Sequence, residues 1–187
     1  MNHKYSYWYF QSILSDKNCS DIIKLGNSKK LNLAITGTES AILKQNKNLS
    51  KKQISNLKKM RNSKIVFLND NWLYELITPY INQANKAAGW NYEINWNESF
   101  QYTSYKKNQH YDWHQDSWDE PYQEEGPNKG LIRKLSASII LNDETEYEGG
   151  ELVFKEYNLD NGIHILGKLP KGTVIVFPSF IYHKVEK

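Results

Sequence analysis

The sequence predicts an α+β fold in which N-terminal helices support a jelly roll of short strands. Helical hydrophobic periodicity is concentrated before Gly89, and after this glycine the pattern changes to short aromatic or apolar runs separated by turn residues. Helices followed by many short strands are typical of this fold class. The chain has 187 residues, of which 39% are hydrophobic, enough for one sizeable core. We therefore predict a single domain, 1–187, with mainly helical support over 1–90 and the jelly roll over 91–187.

Three segments of the N-terminal half are predicted as a strand and two helices. Residues 7–10 are all aromatic and are expected to form a first strand or a docked extended segment. Residues 16–27 and 71–88 show helical periodicity, and Gly26 and Gly89 can end these helices. Pro79 removes one backbone hydrogen bond from the second helix, so we expect a bend or a break there.

Residues 41–64 form a basic segment without an acidic residue. Its eight basic residues are Lys44, Lys47, Lys51, Lys52, Lys58, Lys59, Arg61 and Lys64. The interleaved Ile54, Leu57 and Met60 favour an amphipathic helix capped by Ser50, with the lysines on its solvated face. A phosphate or nucleic-acid surface is the alternative, although no aromatic residue interrupts the run to stack on a base.

The C-terminal half is predicted to be built from strands. The predicted strands are 98–105, 109–116, 131–141, 151–154 and 173–177. Residues 106–108 are expected to form a hairpin turn between the first two. Residues 117–130 contain Trp118, Tyr122 and four acidic residues, which predicts a long loop that covers a site and contacts substrate. An ordinary surface insertion is the alternative.

His114 and Asp116 lie two residues apart in the predicted strand 109–116. Alternate side chains of a strand point to the same face, so both can bind one metal ion. His183 follows the apolar run 173–177 and is the natural third ligand. Two imidazoles and one carboxylate hold non-haem Fe(II) and leave coordination positions open. Because a bare His-x-Asp is common, hydrogen-bonded structural histidines are the alternative.

Cysteine content and hydropathy predict a cytoplasmic protein without a membrane partner. Cys19 is the single cysteine, which excludes an internal disulfide and fits a reducing compartment. No apolar run approaches the roughly 20 residues of a membrane span, and residues 1–10 lack the apolar core of a signal peptide. The net charge of +3 is too small to indicate a polyanionic partner by itself.

Several motifs occur in a fixed order in the C-terminal half. They cover residues 101–102, 105–116, 133–136, 148–152 and 177–183. Together they resemble the Fe(II)/2-oxoglutarate-dependent dioxygenases, especially the prolyl 4-hydroxylase-like branch with its small microbial and phage forms. The resemblance implies a double-stranded β-helix with Fe(II) bound by His114, Asp116 and His183. It also implies 2-oxoglutarate and O2 as co-substrates, succinate as a product and ascorbate as an accessory reductant. Asp116 favours hydroxylation, because related halogenases carry a small residue at that position.

The resemblance also suggests residues that contact 2-oxoglutarate. Tyr105 matches a family tyrosine that hydrogen-bonds 2-oxoglutarate, with core packing as its alternative role. Ser136 matches a threonine that lines the same pocket. The family places a Lys or Arg about ten residues beyond the last histidine, whereas this chain ends four residues after His183. We therefore expect a further strand beyond residue 187, with Lys134 as the alternative anchor because it shares a strand face with Ser136.

Three functions are consistent with these features. The first is hydroxylation of a peptidyl proline or a similar protein side chain, with the loop around Trp118 and Tyr122 contacting an extended peptide. The second is oxidative demethylation of a nucleic-acid base, using the basic segment. The third is a jelly-roll metal-binding module without turnover. If the chain is encoded by a phage, the host cytoplasm is its expected location.

Overall fold

The computed structural model describes residues 5–44, 48–117, 119–155 and 162–187, without the side chains of residues 38, 39, 41 and 44. These residues form four helices and eleven strands. In chain order they are β1 Trp8–Phe10, α1 Asp16–Ser28, β2 Asn32–Leu33, α2 Gly37–Lys44, α3 Lys51–Met60, β3 Arg61–Asn62, β4 Lys64–Leu68, α4 Asn71–Ala87, β5 Phe100–Ser104, β6 His110–His114, β7 Leu135–Ile139, β8 Leu152–Lys155, β9 Ile163–Ile165, β10 Val174–Pro178 and β11 His183–Val185.

Serine capping boxes begin two of the helices. The Ser15 hydroxyl accepts a hydrogen bond from the Asn18 backbone N–H at 3.1 Å, and the Asn18 side chain accepts one from the Ser15 N–H at 3.2 Å. Ser50 and Gln53 exchange the same bonds at the start of α3. Two otherwise unpaired N–H groups are satisfied at each helix start. Helix α3 buries Leu57 and exposes its lysines, which confirms the amphipathic helix; Lys47 lies outside the described residues.

Helix α4 runs through Pro79 as one continuous element, so Pro79 does not split the helix, and the predicted bend stays a prediction. Pro79 and Glu75, whose carbonyl would accept the missing bond, both lie on the exposed side of the helix. Water can therefore replace that bond at little cost. The opposite side of α4 buries Leu73 and Ile77 in the main core.

Three antiparallel sheets surround two hydrophobic clusters. Their strand orders are β1-β10-β7, β3-β6-β11-β8-β9 and β2-β4-β5. Strand β10 is buried on both faces, because Val174 and Val176 pack in the cluster that includes α1 and α4, whereas Ile175 and Phe177 pack against β8. This layering positions the ends of β6 and β11 beside each other. None of the helices in the described residues is both long and apolar enough to cross a bilayer.

Two strand predictions need correction. A turn does follow β5, with Asn108 at a φ of 62°, but β5 pairs with β4 while β6 pairs with β3 and β11. The predicted hairpin is therefore wrong, because its two strands belong to different sheets. The strand predicted at 131–141 is shortened to β7. Strands β3 and β4 were not predicted, since the basic residues of this region dominated its interpretation.

Candidate metal centre

The predicted metal ligands come together where β6 and β11 pair. The antiparallel register sets His183 directly opposite His114. Asp116 follows β6, and its backbone N–H donates to the Ser179 carbonyl at 2.9 Å, which ties this segment to the end of β10. Residues separated by more than sixty positions in the chain thus meet through two backbone contacts.

The three side chains form a compact ligand set of two imidazoles and one carboxylate. One ligand atom from each residue lies within 4.8 Å of the others. The Nε2 atom of His114 is 3.6 Å from Oδ1 of Asp116, and the Nε2 atom of His183 is 3.6 Å from Oδ2 of the same carboxylate. This donor set and spacing fit a single Fe(II) ion with coordination positions left for other ligands.

Both imidazoles are held in the tautomer that a metal ion needs. Nδ1 of His114 lies 2.8 Å from the Asp112 carbonyl, and Nδ1 of His183 lies 2.9 Å from the Ile181 carbonyl. A carbonyl only accepts, so each Nδ1 carries the proton and each Nε2 presents a lone pair. Burial lowers the pKa of His114 to about 4, and the neighbouring His183 acts in the same direction. His114 is therefore neutral at neutral pH and can bind a metal ion without losing a proton.

Asp116 is fixed by hydrogen bonds to both its side chain and its main chain. The Ser136 hydroxyl donates to Oδ2 of Asp116 at 2.7 Å and lies 2.9 Å from the Ser179 hydroxyl. Arg133 donates from Nη1 to the Asp116 backbone carbonyl at 2.9 Å. Ser136 was predicted to line the 2-oxoglutarate pocket. In the structure its hydroxyl hydrogen-bonds Asp116, one of the predicted metal ligands.

An ion pair connects this support to the loop 117–130. Arg133 binds Glu98 through Nε and Nη2, each at 2.5 Å from a carboxylate oxygen. The Tyr122 hydroxyl donates to the same carboxylate at 3.0 Å. Tyr122 therefore lies on the polar network that positions Asp116, whereas Trp118 lies outside the described residues. No pattern in the sequence indicated a role for Arg133 or Glu98, although Arg133 falls within one of the ordered motifs.

A second group of side chains lies beside His114 on the side of strand β3. The Tyr111 ring stacks on the His114 ring, with centroids 3.4 Å apart and an interplanar angle of 11°. The guanidinium carbon of Arg61 lies 4.3 Å from the Tyr111 centroid. Tyr105 is 37% exposed, so it is not a core residue. Loss of hydration at its hydroxyl raises the pKa of Tyr105 to about 12, partly offset by the positive charge of Arg61.

Lys134 lies in a different environment from Ser136. Its side chain is exposed, and the ammonium is 5.9 Å from the Tyr92 ring centroid. It lines a cavity of about 320 Å³ together with Tyr92, Ser117, Ile132, Arg133 and Phe180. Within the described residues, no hydrogen bond or ion pair joins Lys134 to the three predicted metal ligands. Its role as an anchor for 2-oxoglutarate stays a prediction.

Comparison with known proteins gives consistent matches. Residues 100–187 match the model of the 2OG-Fe(II) oxygenase superfamily. A PKHD-type hydroxylase from Janthinobacterium sp. (strain Marseille) is 34% identical over 85 residues, which cover 46% of this chain and 35% of that protein. A second PKHD-type hydroxylase, from Acinetobacter baumannii (strain AYE), is 40% identical over 60 residues, 32% of this chain and 25% of that protein. The matches thus span about a third or less of these curated relatives.

Two solved structures share the fold across nearly the whole chain. A prolyl-4-hydroxylase from Pseudomonas putida superposes with a TM-score of 0.60 at 18% identity, covering 97% of this chain and 86% of that one. The viral collagen prolyl hydroxylase of Paramecium Bursaria Chlorella virus-1, solved as a 2OG complex, gives 0.60 at 17% identity, with 98% and 93% covered. The predicted α+β jelly-roll fold is confirmed.

Proposed function

We propose that the protein is an Fe(II)/2-oxoglutarate-dependent hydroxylase of peptidyl proline or a similar protein side chain. The match of residues 100–187 to the 2OG-Fe(II) oxygenase superfamily supports this proposal. The observation that carries the proposal is the ligand geometry. Two imidazoles present their Nε2 lone pairs beside one carboxylate. The three groups lie within bonding reach of a common point, where one metal ion can bind. Such a set holds Fe(II) while leaving positions for further ligands.

Each residue of the centre has a distinct part in this proposal. His114, Asp116 and His183 would hold Fe(II). When bound, Fe(II) with 2-oxoglutarate and O2 supplies the oxidising chemistry, in which decarboxylation to succinate accompanies hydroxylation of the substrate. Ser136 holds the Asp116 carboxylate, and Arg133 holds the Asp116 backbone through its carbonyl. His183 is only 5% exposed, so the protein itself shields this ligand from water.

The surroundings of the centre support a peptide substrate. The cavity that includes Tyr92 and Phe180 starts at Ser117, immediately after Asp116, and combines aromatic walls with polar groups. Aromatic surfaces suit an apolar ring such as that of proline, and polar groups suit the flanking backbone. Tyr122 is proposed to contact the peptide next to this cavity. The similar structure from Pseudomonas putida is that of a prolyl-4-hydroxylase, which is in line with such a substrate. We further propose that the protein acts in the cytoplasm.

The exposed lysines of α3 are typical of a solvated helix face and need no nucleic-acid partner. Nucleic-acid demethylation, which would use these lysines, is therefore the second hypothesis. Succinate formation separates the candidates. The protein is incubated with Fe(II), ascorbate and 2-oxoglutarate, with and without a proline-rich peptide and, separately, single-stranded DNA. Succinate that rises only with the peptide supports the hydroxylase. A metal-loaded protein that neither binds 2-oxoglutarate nor forms succinate would instead support a metal-binding module.

Iron retention tests the ligand assignment directly. His114→Ala or Asp116→Ala should abolish iron retention while the circular dichroism spectrum is unchanged, because each removes one ligand of three. His110→Ala is the matched control, since His110 lies on the same strand and its Nε2 contacts the Lys59 carbonyl rather than the ligand set. Full iron occupancy in both ligand variants would refute the assignment.

A further inference from the structure

Arg61 is a buried cation without a counter-charge among the side chains that the structure describes. It is 5% exposed, and none of those carboxylates lies within 4.0 Å of its guanidinium. Its Nη1 donates to the Ile35 carbonyl over a long 3.5 Å, and its Nε has no partner among the described residues. An uncompensated charge in the interior is costly, so a fold that retains one there indicates an anionic ligand.

Two hydroxyl groups lie beside Arg61. Ser63 is fully buried, and its Oγ faces the Tyr105 hydroxyl without a close hydrogen bond to any of the described residues. Because the burial alternates along this segment, Ser63 points to the same side as Arg61. The β4–β5 register pairs Lys64 with Ser104, which sets Ser63 next to Tyr105 at the end of that ladder. One guanidinium and two hydroxyl groups therefore lie together, and no carboxylate among the described residues accepts a hydrogen bond from them.

This donor cluster lies next to the metal centre. The β3–β6 register pairs Arg61 with Tyr111, and the Tyr111 ring contacts both the guanidinium and the His114 imidazole. A ligand that binds the metal ion through one end can thus reach Arg61 with the other. Lys134, the alternative cation, is exposed to solvent, where water weakens its attraction for a carboxylate.

We propose that Arg61, with Ser63 and Tyr105, binds the carboxylate of 2-oxoglutarate that is remote from the 2-oxo group. The inference rests on the proposed function for the identity of its ligand. The guanidinium fork matches a carboxylate with two parallel hydrogen bonds, and the two hydroxyls add further donors. The cosubstrate would supply the negative counter-charge for the Arg61 guanidinium. The site would therefore be specific for a dicarboxylate.

Binding to the Mn(II)-loaded protein, measured by calorimetry without O2, tests the assignment. Two probes are compared: 2-oxoglutarate, and 2-oxobutyrate, which lacks the remote carboxylate. Arg61→Met should weaken 2-oxoglutarate binding on the order of 10- to 100-fold, because it removes charge-assisted hydrogen bonds. Its affinity for 2-oxobutyrate and for Mn(II) should stay within about twofold, since these do not use the remote subsite. Arg61→Lys should recover part of the loss, and Lys64→Met is the matched control with unchanged binding, because Lys64 is exposed and alternates with the buried Ser63.

Ser63→Ala provides a second variant that is expected to fold normally, because the Ser63 hydroxyl makes no close hydrogen bond within the described residues. It should weaken 2-oxoglutarate binding by about fivefold, as expected for one hydrogen bond. An equal loss for both probes in Arg61→Met, or a larger loss in Lys134→Met, would overturn the assignment. A failure of the proposed function would give a different result, because the unsubstituted protein itself would then not bind 2-oxoglutarate. That result would overturn this inference as well.

Discussion

Breaking the Arg133–Glu98 ion pair is expected to lower both the stability of the loop 117–130 and the affinity for the metal ion. Both of its hydrogen bonds measure 2.5 Å, and the two side chains are 35% and 34% exposed. Exposed pairs contribute about 0–1 kcal/mol, whereas breaking a buried pair costs about 3–5 kcal/mol. The intermediate burial here leads us to expect a coupling free energy of about 1–2 kcal/mol. The loop also carries a surface pair, Lys129 with Glu125, whose side chains are 52% and 86% exposed.

Two double-mutant cycles compare these pairs by urea unfolding of the metal-free protein. The first uses Arg133→Met, Glu98→Gln and the double variant, and the second uses Lys129→Met, Glu125→Gln and their combination. The coupling free energy of the second cycle should be about 0.5 kcal/mol or less. Arg133→Met should also weaken metal binding by about tenfold, because the Asp116 carbonyl loses its donor. Lys129→Met should leave metal affinity unchanged.

Equal coupling in the two cycles would refute the role given to burial. Unchanged metal affinity in Arg133→Met would refute the connection between this ion pair and Asp116. The two results are independent, because the first concerns the free energy of unfolding and the second concerns the orientation of one ligand.

Three further outcomes are expected. Ser136→Ala removes the 2.7 Å hydrogen bond to Asp116 and should weaken metal binding about tenfold in a metal titration, with little change in unfolding free energy. Burial and His183 lower the pKa of His114 to about 4, so between that value and about 6.5 the unfolded state binds more protons. The metal-free protein should therefore lose stability as the pH falls through this range. Urea unfolding of His114→Gln should show a weaker pH dependence of the unfolding free energy. Gly26→Ala would bring a Cβ within 2.4–2.6 Å of the Tyr102 ring, so thermal unfolding should report a loss of about 1–3 kcal/mol that Tyr102→Val partly restores.

Helices α1, α3 and α4 and two of the three predicted metal ligands were accessible from the sequence because each depends on a local rule, whereas α2 was not predicted. Capping and periodicity identified α3, although they did not resolve the effect of Pro79 on α4. The spacing of His114 and Asp116 follows from the alternation of side chains along a strand. His183 required more, since only the register between β6 and β11 brings it opposite His114. Its position after a long apolar run was the signal that made it a candidate.

Pairing between distant strands explains the errors. The turn at 106–108 is a local feature and was identified, but sheet membership depends on which strand offers the better partner across the whole fold. Strand β5 pairs with β4, and β6 pairs with β3 and β11. The Arg133–Glu98 pair is equally nonlocal, because 35 positions separate its members. No pattern within either segment indicates that they meet.

Arg61 shows how a charge-based interpretation can conceal a binding residue. Counted with seven other basic residues, it looks like part of a solvated surface, and the exposed lysines of α3 justify that interpretation up to Met60. Strand β3 begins at Arg61, and alternation then buries Arg61, Ser63 and Ile65 in turn. A helix presents its basic residues to water, but a strand that follows it directly turns every second side chain inward. The change of period at this boundary, rather than the charge itself, is what brings a guanidinium next to the predicted iron ligands.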